Sequence, residues 1–195
     1  FDQIYHEHLS YFSLFAAKRL TESVGLKIFD AKLIPIHGKS LRVFAAKSRK
    51  AFPSVMSLLE KEKKLRLDKT KTYIDFAENV QKNKKELRSL LLKLKKQNKK
   101  IVGYGAPAKG NILLNYFCID DKILDFITDD SPLIQGLYAP GSHIPVFAAN
   151  RLLKAKPDYL LLLAWNYAKS IFEKEKKLKE QGGKFIIPVP NVKIV

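Results

Sequence analysis

The segment 101–117 combines residue types that could bind a phosphate. Gly103, Gly105 and Gly110 follow a short apolar run and precede periodic apolar residues, so the pattern predicts a strand, a glycine loop and a helix. Glycines let the backbone approach an anion closely, and the N–H groups at a helix start point toward it. Lys109 adds a full positive charge. We therefore expect Gly103, Gly105 and Lys109 to bind a phosphorylated substrate.

The glycine spacing departs from a dinucleotide-binding fingerprint. Gly110 comes five positions after Gly105, where that fingerprint needs three, and Pro107 lies between them. A strand-to-helix turn that binds nothing is one competing interpretation, and a nicotinamide-dependent oxidoreductase is another. Lys109 and Asn111 favour a ligand, because a turn that needs only flexibility has no use for a cation and an amide at the helix start.

Polar residues also follow two later apolar runs. Asp129 and Asp130 come after the second predicted strand of this region, near where a dinucleotide fold keeps its ribose-binding acid. Trp165 and Asn166 come after a later strand. The carboxyl ends of parallel strands meet at one edge, where ligands bind, so we expect all four residues to contact substrate. The alternative for Trp165 is that it caps the core.

The first eight residues carry a second set of reactive side chains, which includes Tyr5, Glu7 and His8. A histidine near a carboxylate is the usual means of taking a proton near neutral pH. A metal site built on His6 and His8 is a competing interpretation, but it lacks a nearby third ligand, so we predict no metal. Surface polar residues on a frayed terminus are the remaining alternative.

The rest of the pattern predicts the elements that position these residues. Residues 10–24 have the apolar spacing of a helix, and residues 26–34 and 40–46 alternate as an antiparallel pair of strands. Residues 51–100 predict one or two long helices. From residue 101 onward, apolar strands alternate with helices, which indicates a parallel sheet covered on both faces.

The predicted fold class is α/β, in three parts. Residues 1–50 end a sheet domain whose earlier part is absent, because one helix and two strands are marginal alone. Residues 51–100 form a helical connector, and residues 101–195 form a Rossmann-like domain. The connector should pack through one apolar stripe. That stripe comprises Tyr73, Phe76, Ala77, Val80, Leu87, Leu90, Leu91 and Leu94.

Composition narrows the function classes. The net charge is +17, but the basic residues are interleaved with Leu and Glu at helical spacing, which is typical of solvated helix faces. We therefore expect no nucleic acid as partner, although a basic nucleic-acid or scaffold module stays an alternative. No apolar run approaches the roughly 20 residues of a membrane span, so we expect no membrane association. The single cysteine, Cys118, predicts a small core residue and a cytoplasmic protein without disulfides.

Six ordered motifs together resemble the C-terminal half of the S-adenosylmethionine-dependent sugar C-methyltransferases. These enzymes methylate the carbon next to the ketone of a nucleotide-linked deoxy-keto-sugar. The motifs are residues 1–8 with 10–13, 37–42, 103–111, 130–132 with 135–136, 140–145 and 163–167. Lys39 departs from the glycine expected in its turn, which puts the contacts of that loop in doubt.

The resemblance implies a fold and a mechanism. The family has an N-terminal zinc-binding piece, a middle methyltransferase domain and a C-terminal Rossmann-like domain, with the nucleotide sugar between the last two. Residues 1–50 would then hold the last helix and β-hairpin of a truncated methyltransferase domain. By position, Tyr5, Glu7 and His8 match the active-site residues: His8 would take the proton alpha to the ketone, Glu7 would assist, and Tyr5 would lie near the enolate.

The resemblance also implies what this chain lacks. No glycine loop for S-adenosylmethionine precedes Tyr5, and no cysteine cluster for zinc exists. We expect the 195 residues to bind a nucleotide-diphosphate sugar, to bind no cofactor alone, and to be inactive without the missing N-terminal methyltransferase region. A fragment is favoured over a stand-alone remnant, because Phe1 begins within a motif.

Overall fold

The computed structural model describes residues 1, 3–5, 7–35 and 40–195. By internal contacts the chain forms two compact units, one of residues 9–78 and one of residues 1–8 with 79–195. This boundary falls inside the predicted connector; the three-part domain division stays a prediction. His6, of the competing metal-site interpretation, and His37 and Lys39, of the motif at residues 37–42, lie outside the described residues.

The unit of residues 9–78 contains the predicted helix and hairpin. Helix α1 (Leu14–Ser23) begins after Ser13, whose hydroxyl accepts the Ala16 N–H at 3.1 Å. Strands β1 (Lys27–Ile34) and β2 (Ser40–Ala46) pair antiparallel, as predicted, and helix α2 (Pro53–Lys64) packs on β1. A small core joins these elements; its buried members are Leu14, Ile28, Ala31 and Val55.

Two helices occupy the predicted connector, α2 and the longer α3 (Thr70–Lys96). In α3 the second half of the predicted stripe is confirmed, since the buried residues at helical spacing are Val80, Asn83, Leu87, Leu91 and Leu94. The first half is wrong, because Tyr73, Phe76 and Ala77 are exposed. An apolar stripe becomes buried only where another layer covers it, and the buried residues of α3 join the core cluster that contains Ile101 of the sheet.

The other unit is built on a six-stranded sheet. Its strands are β3 (Ile101–Tyr104), β4 (Ile127–Asp129), β5 (Val146–Ala148), β6 (Tyr159–Leu162), β7 (Lys184–Ile187) and β8 (Lys193–Ile194). Their order is β5-β4-β3-β6-β7-β8, and only β8 runs antiparallel. This order is that of a Rossmann-type sheet, with the reversal of strand order at β3. The predicted α/β class is confirmed.

Four helices link these strands: α4 (Ala108–Phe117), α5 (Arg151–Ala155), α6 (Ala168–Lys174) and α7 (Lys176–Glu180). One core cluster joins α3 and α4 to one face of the sheet, and a second joins α5, α6 and α7 to the other face. Helices α6 and α7 are divided at Glu175, where the backbone leaves helical geometry. Cys118 is exposed and ends α4 in a left-handed conformation, so its prediction as a core residue was wrong.

The loop from β3 to α4 lies directly against the end of β6. A Cβ atom at Gly110 would lie 3.0 Å from Leu163 Cβ, and one at Gly105 would lie 2.7 Å from Ala164 Cβ. Gly105 also has φ +82°, which side-chain-bearing residues rarely adopt. Its N–H donates to the Thr128 carbonyl at 2.7 Å, so the loop is held between β4 and β6.

Tyr104, the last residue of β3, is buried on the face of the sheet that packs against α5, α6 and α7. Tyr104 is 7% exposed, and among the described residues its hydroxyl has no hydrogen-bond partner. Burial, reinforced by the carboxylates of Glu175 and Asp130, raises the pKa of Tyr104 to about 12, although the Lys174 ammonium opposes this shift. The Lys174 Nζ atom lies 5.9 Å from the centroid of the ring. The phenol therefore stays neutral in the folded protein over the physiological pH range.

The close packing at Gly105 predicts a difference between two glycine substitutions. Gly105 and Gly136 share φ +82°, but a Cβ at Gly136 meets no atom within 4 Å. We expect Gly136→Ala to cost about 1 kcal/mol of unfolding free energy through backbone strain alone. Gly105→Ala should cost about 1–3 kcal/mol more, because the methyl group overlaps Ala164. Urea denaturation measures both losses, and equal losses would contradict the proposed contact with β6.

The raised pKa of Tyr104 predicts a loss of stability in alkali. The unfolded chain releases this proton near pH 10 and the folded chain near pH 12, so the native state binds more protons in that interval and its stability falls as pH rises. Tyr104→Phe should remove this part of the fall, because phenylalanine has no proton to release. Urea unfolding at several pH values compares the two proteins, and other alkaline titrations cancel in the difference. Parallel pH curves would contradict the assignment.

Candidate functional site

The reversal of strand order places two loops at one crevice. The crossover after β3 passes through α4 on one face of the sheet, and the crossover after β6 passes through α6 on the other. A crevice opens between such crossovers at the carboxyl ends of the strands. The loop after β4 lies beside it, because β4 is the neighbour of β3. The predicted substrate-binding residues lie on or beside these three strand ends.

Two of the predicted residues are in direct contact across this crevice. The Lys109 Nζ atom lies over the indole ring of Trp165, 4.9 Å from its centroid. Trp165 is half-buried and packs against both core clusters, so it does cap the core, while Asn166 and Tyr167 are exposed. The structure thus brings the glycine loop and the β6 loop together and holds a cation at their junction.

The start of α4 has the groups that an anion needs. Its N-cap is Pro107, which contributes no side-chain cap, and the Gly110 and Asn111 N–H groups both donate to the Pro107 carbonyl. Among the described residues the Ala108 N–H has no acceptor. The Asn111 Oδ1 atom is buried and has no donor within the described part of the chain. An N–H, an ammonium and an amide oxygen therefore lie on one helix turn.

The carboxylate of Asp129, at the end of β4, accepts hydrogen bonds from two backbone N–H groups. Its Oδ2 atom accepts the Ala106 N–H at 2.8 Å, and its Oδ1 atom accepts the Ser131 N–H at 2.8 Å. The carbonyl of Asp129 accepts a hydrogen bond from Gln135 Nε2 at 3.0 Å. The carboxylate thus joins the glycine loop after β3 to the loop after β4.

Asp130 is exposed and forms an ion pair. Lys174 Nζ donates to its two carboxylate oxygens at 2.6 and 2.5 Å, and this contact raises the pKa of Lys174. Glu175, which follows Lys174, has a pKa raised by its own burial. The charged groups of Asp130, Lys174 and Glu175 therefore lie near the buried Tyr104 hydroxyl.

Gly103 lies within β3, in the core. A Cβ atom there would lie 2.9 Å from Ile127 Cγ1 and 3.1 Å from Leu163 Cδ1, so packing alone requires glycine at this position. Its place differs from that of Gly105, which follows the strand. The prediction that Gly103 contacts substrate stays a prediction.

The N-terminal segment belongs to the same unit as the glycine loop. The Phe1 ring stacks on Phe117, with 5.3 Å between centroids, at the C-terminal end of α4. Lys109 lies near the N-terminal end of that ten-residue helix, whose length is about 15 Å. The segment is therefore anchored at the end of α4 opposite to the glycine loop.

Tyr5 and His8 are neighbours within this segment. Their ring centroids are 4.1 Å apart. The backbone N–H of His8 donates to the Tyr5 carbonyl at 2.9 Å in a tight turn. The His8 Nδ1 atom lies 2.9 Å from the Gln3 carbonyl, which can only accept a hydrogen bond. This contact favours a proton on Nδ1, so Nε2 carries the lone pair of the neutral ring. Such a ring can act as a base through Nε2.

Sequence reasoning missed three residues that support the site. Gln135 Nε2 donates to the backbone carbonyl of Asp129, and Lys174 donates to the Asp130 carboxylate. Asn115 Nδ2 donates to the Asn111 and Pro140 carbonyls at 2.8 and 2.9 Å. Lys174 and Asn115 gave a weak signal, since Asp130 and Pro140 lie 44 and 25 residues away from them in sequence. Gln135 lies only six residues from Asp129, but its polar type alone does not indicate this contact. The unit 9–78 has a separate apolar cavity of about 380 Å³, which shares no residue with the predicted site.

Two kinds of structure are absent from the described residues, a metal-binding cluster and a membrane-spanning helix. No group of three or more His, Cys, Asp or Glu residues there is arranged to hold a metal ion. No helix formed by those residues has the length and apolar character needed to cross a membrane.

Comparison with known proteins agrees with the resemblance stated above. The family model described as the C-methyltransferase C-terminal domain matches residues 35–190. The chain is also 38% identical, over 198 residues, to C-methyltransferase NovU from Streptomyces niveus. That alignment covers 100% of this chain and 47% of the relative, so the chain spans about half the length of the curated relative it matches. Because the family model covers most of its residues, this chain belongs to the family of C-methyltransferase C-terminal domains.

Proposed function

We propose that this chain is the substrate-binding part of an S-adenosylmethionine-dependent C-methyltransferase that acts on a nucleotide-diphosphate-linked deoxy-keto-sugar. The observation that carries the proposal is the Lys109–Trp165 contact at the crevice of a Rossmann-type sheet. It gathers a cation, a helix start and an aromatic ring where such sheets bind ligands. The membership of the chain in a C-methyltransferase family gives this site its chemistry.

The diphosphate is assigned to the start of α4. The Ala108 N–H and the helix dipole favour an anion there. Lys109 would exchange its contact with the half-buried indole for the phosphate, since a cation–π contact contributes about 0.5–2 kcal/mol and a hydrogen bond between charged groups contributes about 1.5–3 kcal/mol. The net charge of +17 also raises the local concentration of anionic ligands.

The sugar and base are assigned to the groups around that anion. The buried Asn111 Oδ1 atom fits a hydroxyl of the ligand, because this acceptor has no donor in the described protein. The ring of Trp165 would become free to stack once Lys109 moves, and the exposed Asn166 lies beside it. Asp130 offers a further carboxylate, since its exposed ion pair with Lys174 is weak.

We propose proton abstraction as the chemical step of this chain. A C–H next to a ketone is acidic enough for a positioned base, and His8 Nε2 is the candidate. Glu7 would stabilise the imidazolium, and the Tyr5 hydroxyl, whose ring lies next to His8, would donate to the enolate oxygen. These three roles follow the family resemblance.

The methyl donor is proposed to bind elsewhere in the intact protein. S-adenosylmethionine supplies the methyl group in this family. The described residues of the unit 9–78 do not fit it, since they form an antiparallel strand pair and helices without a parallel strand that leads through a glycine loop into a helix. We therefore assign no methyl-transfer step to this chain, and we propose the N-terminal methyltransferase region as its partner.

We propose a cytoplasmic location, since one cysteine gives no sign of an oxidising compartment.

The binding proposal predicts a specific effect of Lys109→Ala. Calorimetric titration with thymidine diphosphate should show binding to the wild type and a loss of about tenfold or more in the variant, because one charge-assisted contact to phosphate is removed. Lys122→Ala is the matched control: it removes an equal charge from the exposed turn between α4 and β4, and its affinity should change less than about threefold. Equal losses in the two variants would show only a general effect of charge. Binding of NAD but not of thymidine diphosphate would support an oxidoreductase instead.

The proposal for His8 predicts proton exchange without a methyl donor. Although we expect this chain to be inactive in methyl transfer, in heavy water it should catalyse exchange of the proton alpha to the ketone of a thymidine-diphosphate-linked keto-deoxysugar. NMR measures this exchange. His8→Asn should slow this exchange by about 10²-fold or more. His143→Asn is the control, since His143 is exposed and asparagine tolerates its φ of 56°. Unchanged exchange in His8→Asn would remove His8 as the base.

A further inference from the structure

Asp129 occupies the position at which a dinucleotide-binding sheet keeps the acid for the ribose hydroxyls. A diol is bound by carboxylate oxygens that can accept its two O–H groups. In this protein each oxygen of Asp129 already accepts a backbone N–H at 2.8 Å, one from Ala106 and one from Ser131. Charge-assisted bonds of this length are among the stronger hydrogen bonds in proteins. Each oxygen keeps one further lone pair, but the bond already made fixes its direction, so a diol binds only where both remaining lone pairs point toward it.

The surrounding contacts hold this arrangement from both sides. The Gly105 N–H donates to the Thr128 carbonyl at 2.7 Å, so the glycine loop is bonded to β4 at two consecutive residues. Gln135 Nε2 donates to the Asp129 carbonyl, so the loop after β4 is bonded to the same residue. The half-buried Asp129 is therefore the common partner of two loops that border the crevice.

We infer that Asp129 is a positioning residue that acts through the Ala106 and Ser131 amides, and that this use of the acid selects against a dinucleotide. The inference rests on the proposed binding of a nucleotide sugar and assigns part of its specificity. The carboxylate sets the place of the loop that leads into Ala108 and Lys109, and so sets the place of the diphosphate. It does not contact the nucleoside.

Asp130 provides the contrast within the same loop. It is exposed, and its partner is the side chain of Lys174, itself 47% exposed. An exposed ion pair is exchanged for a ligand at little cost, whereas breaking two backbone bonds displaces the loop. Asp130→Asn is therefore the matched control for Asp129→Asn. It makes the same chemical change at the next residue, whose carboxylate accepts no backbone N–H from the described residues.

Amide hydrogen exchange of the ligand-free protein tests the positioning role alone. In Asp129→Asn one amide oxygen still accepts an N–H, but the NH₂ group must face the other donor, so exchange at Ala106 or Ser131 should accelerate about tenfold or more. Asp129→Ala should accelerate both. The amides of β6 should keep their protection, which shows that the variants fold. Unchanged exchange at Ala106 and Ser131 in both variants, or equal acceleration in Asp130→Asn, would overturn the inference.

Calorimetry with thymidine diphosphate, inorganic pyrophosphate and NAD tests the specificity. If Asp129 acts on the diphosphate through the loop, Asp129→Asn should lower the affinities for thymidine diphosphate and for pyrophosphate by the same factor, about tenfold. If Asp129 contacted the nucleoside directly, the substitution would lower the affinity for thymidine diphosphate alone, and this result would overturn the inference. The inference would also fail if the wild type bound NAD at least as tightly as thymidine diphosphate. If the wild type binds neither diphosphate, the proposed function fails, while the exchange measurement still decides the role of Asp129.

Discussion

The site depends on one steric constraint, the contact of the β3–α4 loop with the end of β6. A Cβ atom at Gly105 would lie 2.7 Å from Ala164 Cβ, and one at Gly110 would lie 3.0 Å from Leu163 Cβ, so only glycine lets α4 begin this close to the sheet. The short approach brings Lys109 over the Trp165 ring. With larger residues at 105 and 110, α4 would move away, and the cation would leave the strand end at which ligands bind.

Asp129 and Asp130, the two acidic residues at the end of β4, have different roles in this strongly basic protein. A loop held only by van der Waals contact would lack a fixed orientation for its N–H groups. Asp129 supplies that orientation by accepting the Ala106 N–H of the β3–α4 loop, while its other oxygen accepts the Ser131 N–H of the loop after β4. Asp130 and Lys174 instead neutralise each other at the surface. Two adjacent carboxylates thus differ in role because one meets backbone donors and the other meets a flexible side chain. Charge alone does not distinguish them.

The fold was largely predictable because its signals are local. Apolar runs and the glycines predicted β3 and α4, and the alternation of strands and helices predicted a parallel sheet. The failures are positions where tertiary packing decides. Tyr73 and Phe76 have helical spacing but are exposed, and Cys118 lies in an apolar stretch but caps a helix at φ 55°. The role of Asp129 was equally hidden, since its partner Ala106 is brought to it only by the pairing of β3 with β4.

Helix α4 also relates the two chemical parts of the proposed site. The anion-binding groups lie at its start, and the segment that carries His8 is anchored through Phe1 on Phe117 at its other end. Leu113, Leu114 and Phe117 are fully buried, so the helix is a rigid spacer of about 15 Å. The reacting carbon of a nucleotide-linked keto-sugar lies only a few bonds from the diphosphate, a distance much shorter than this helix. The seven Cα–Cα steps from Phe1 to His8 span at most about 25 Å of extended chain, so the proposed base reaches the sugar only if this segment returns along α4 toward its start.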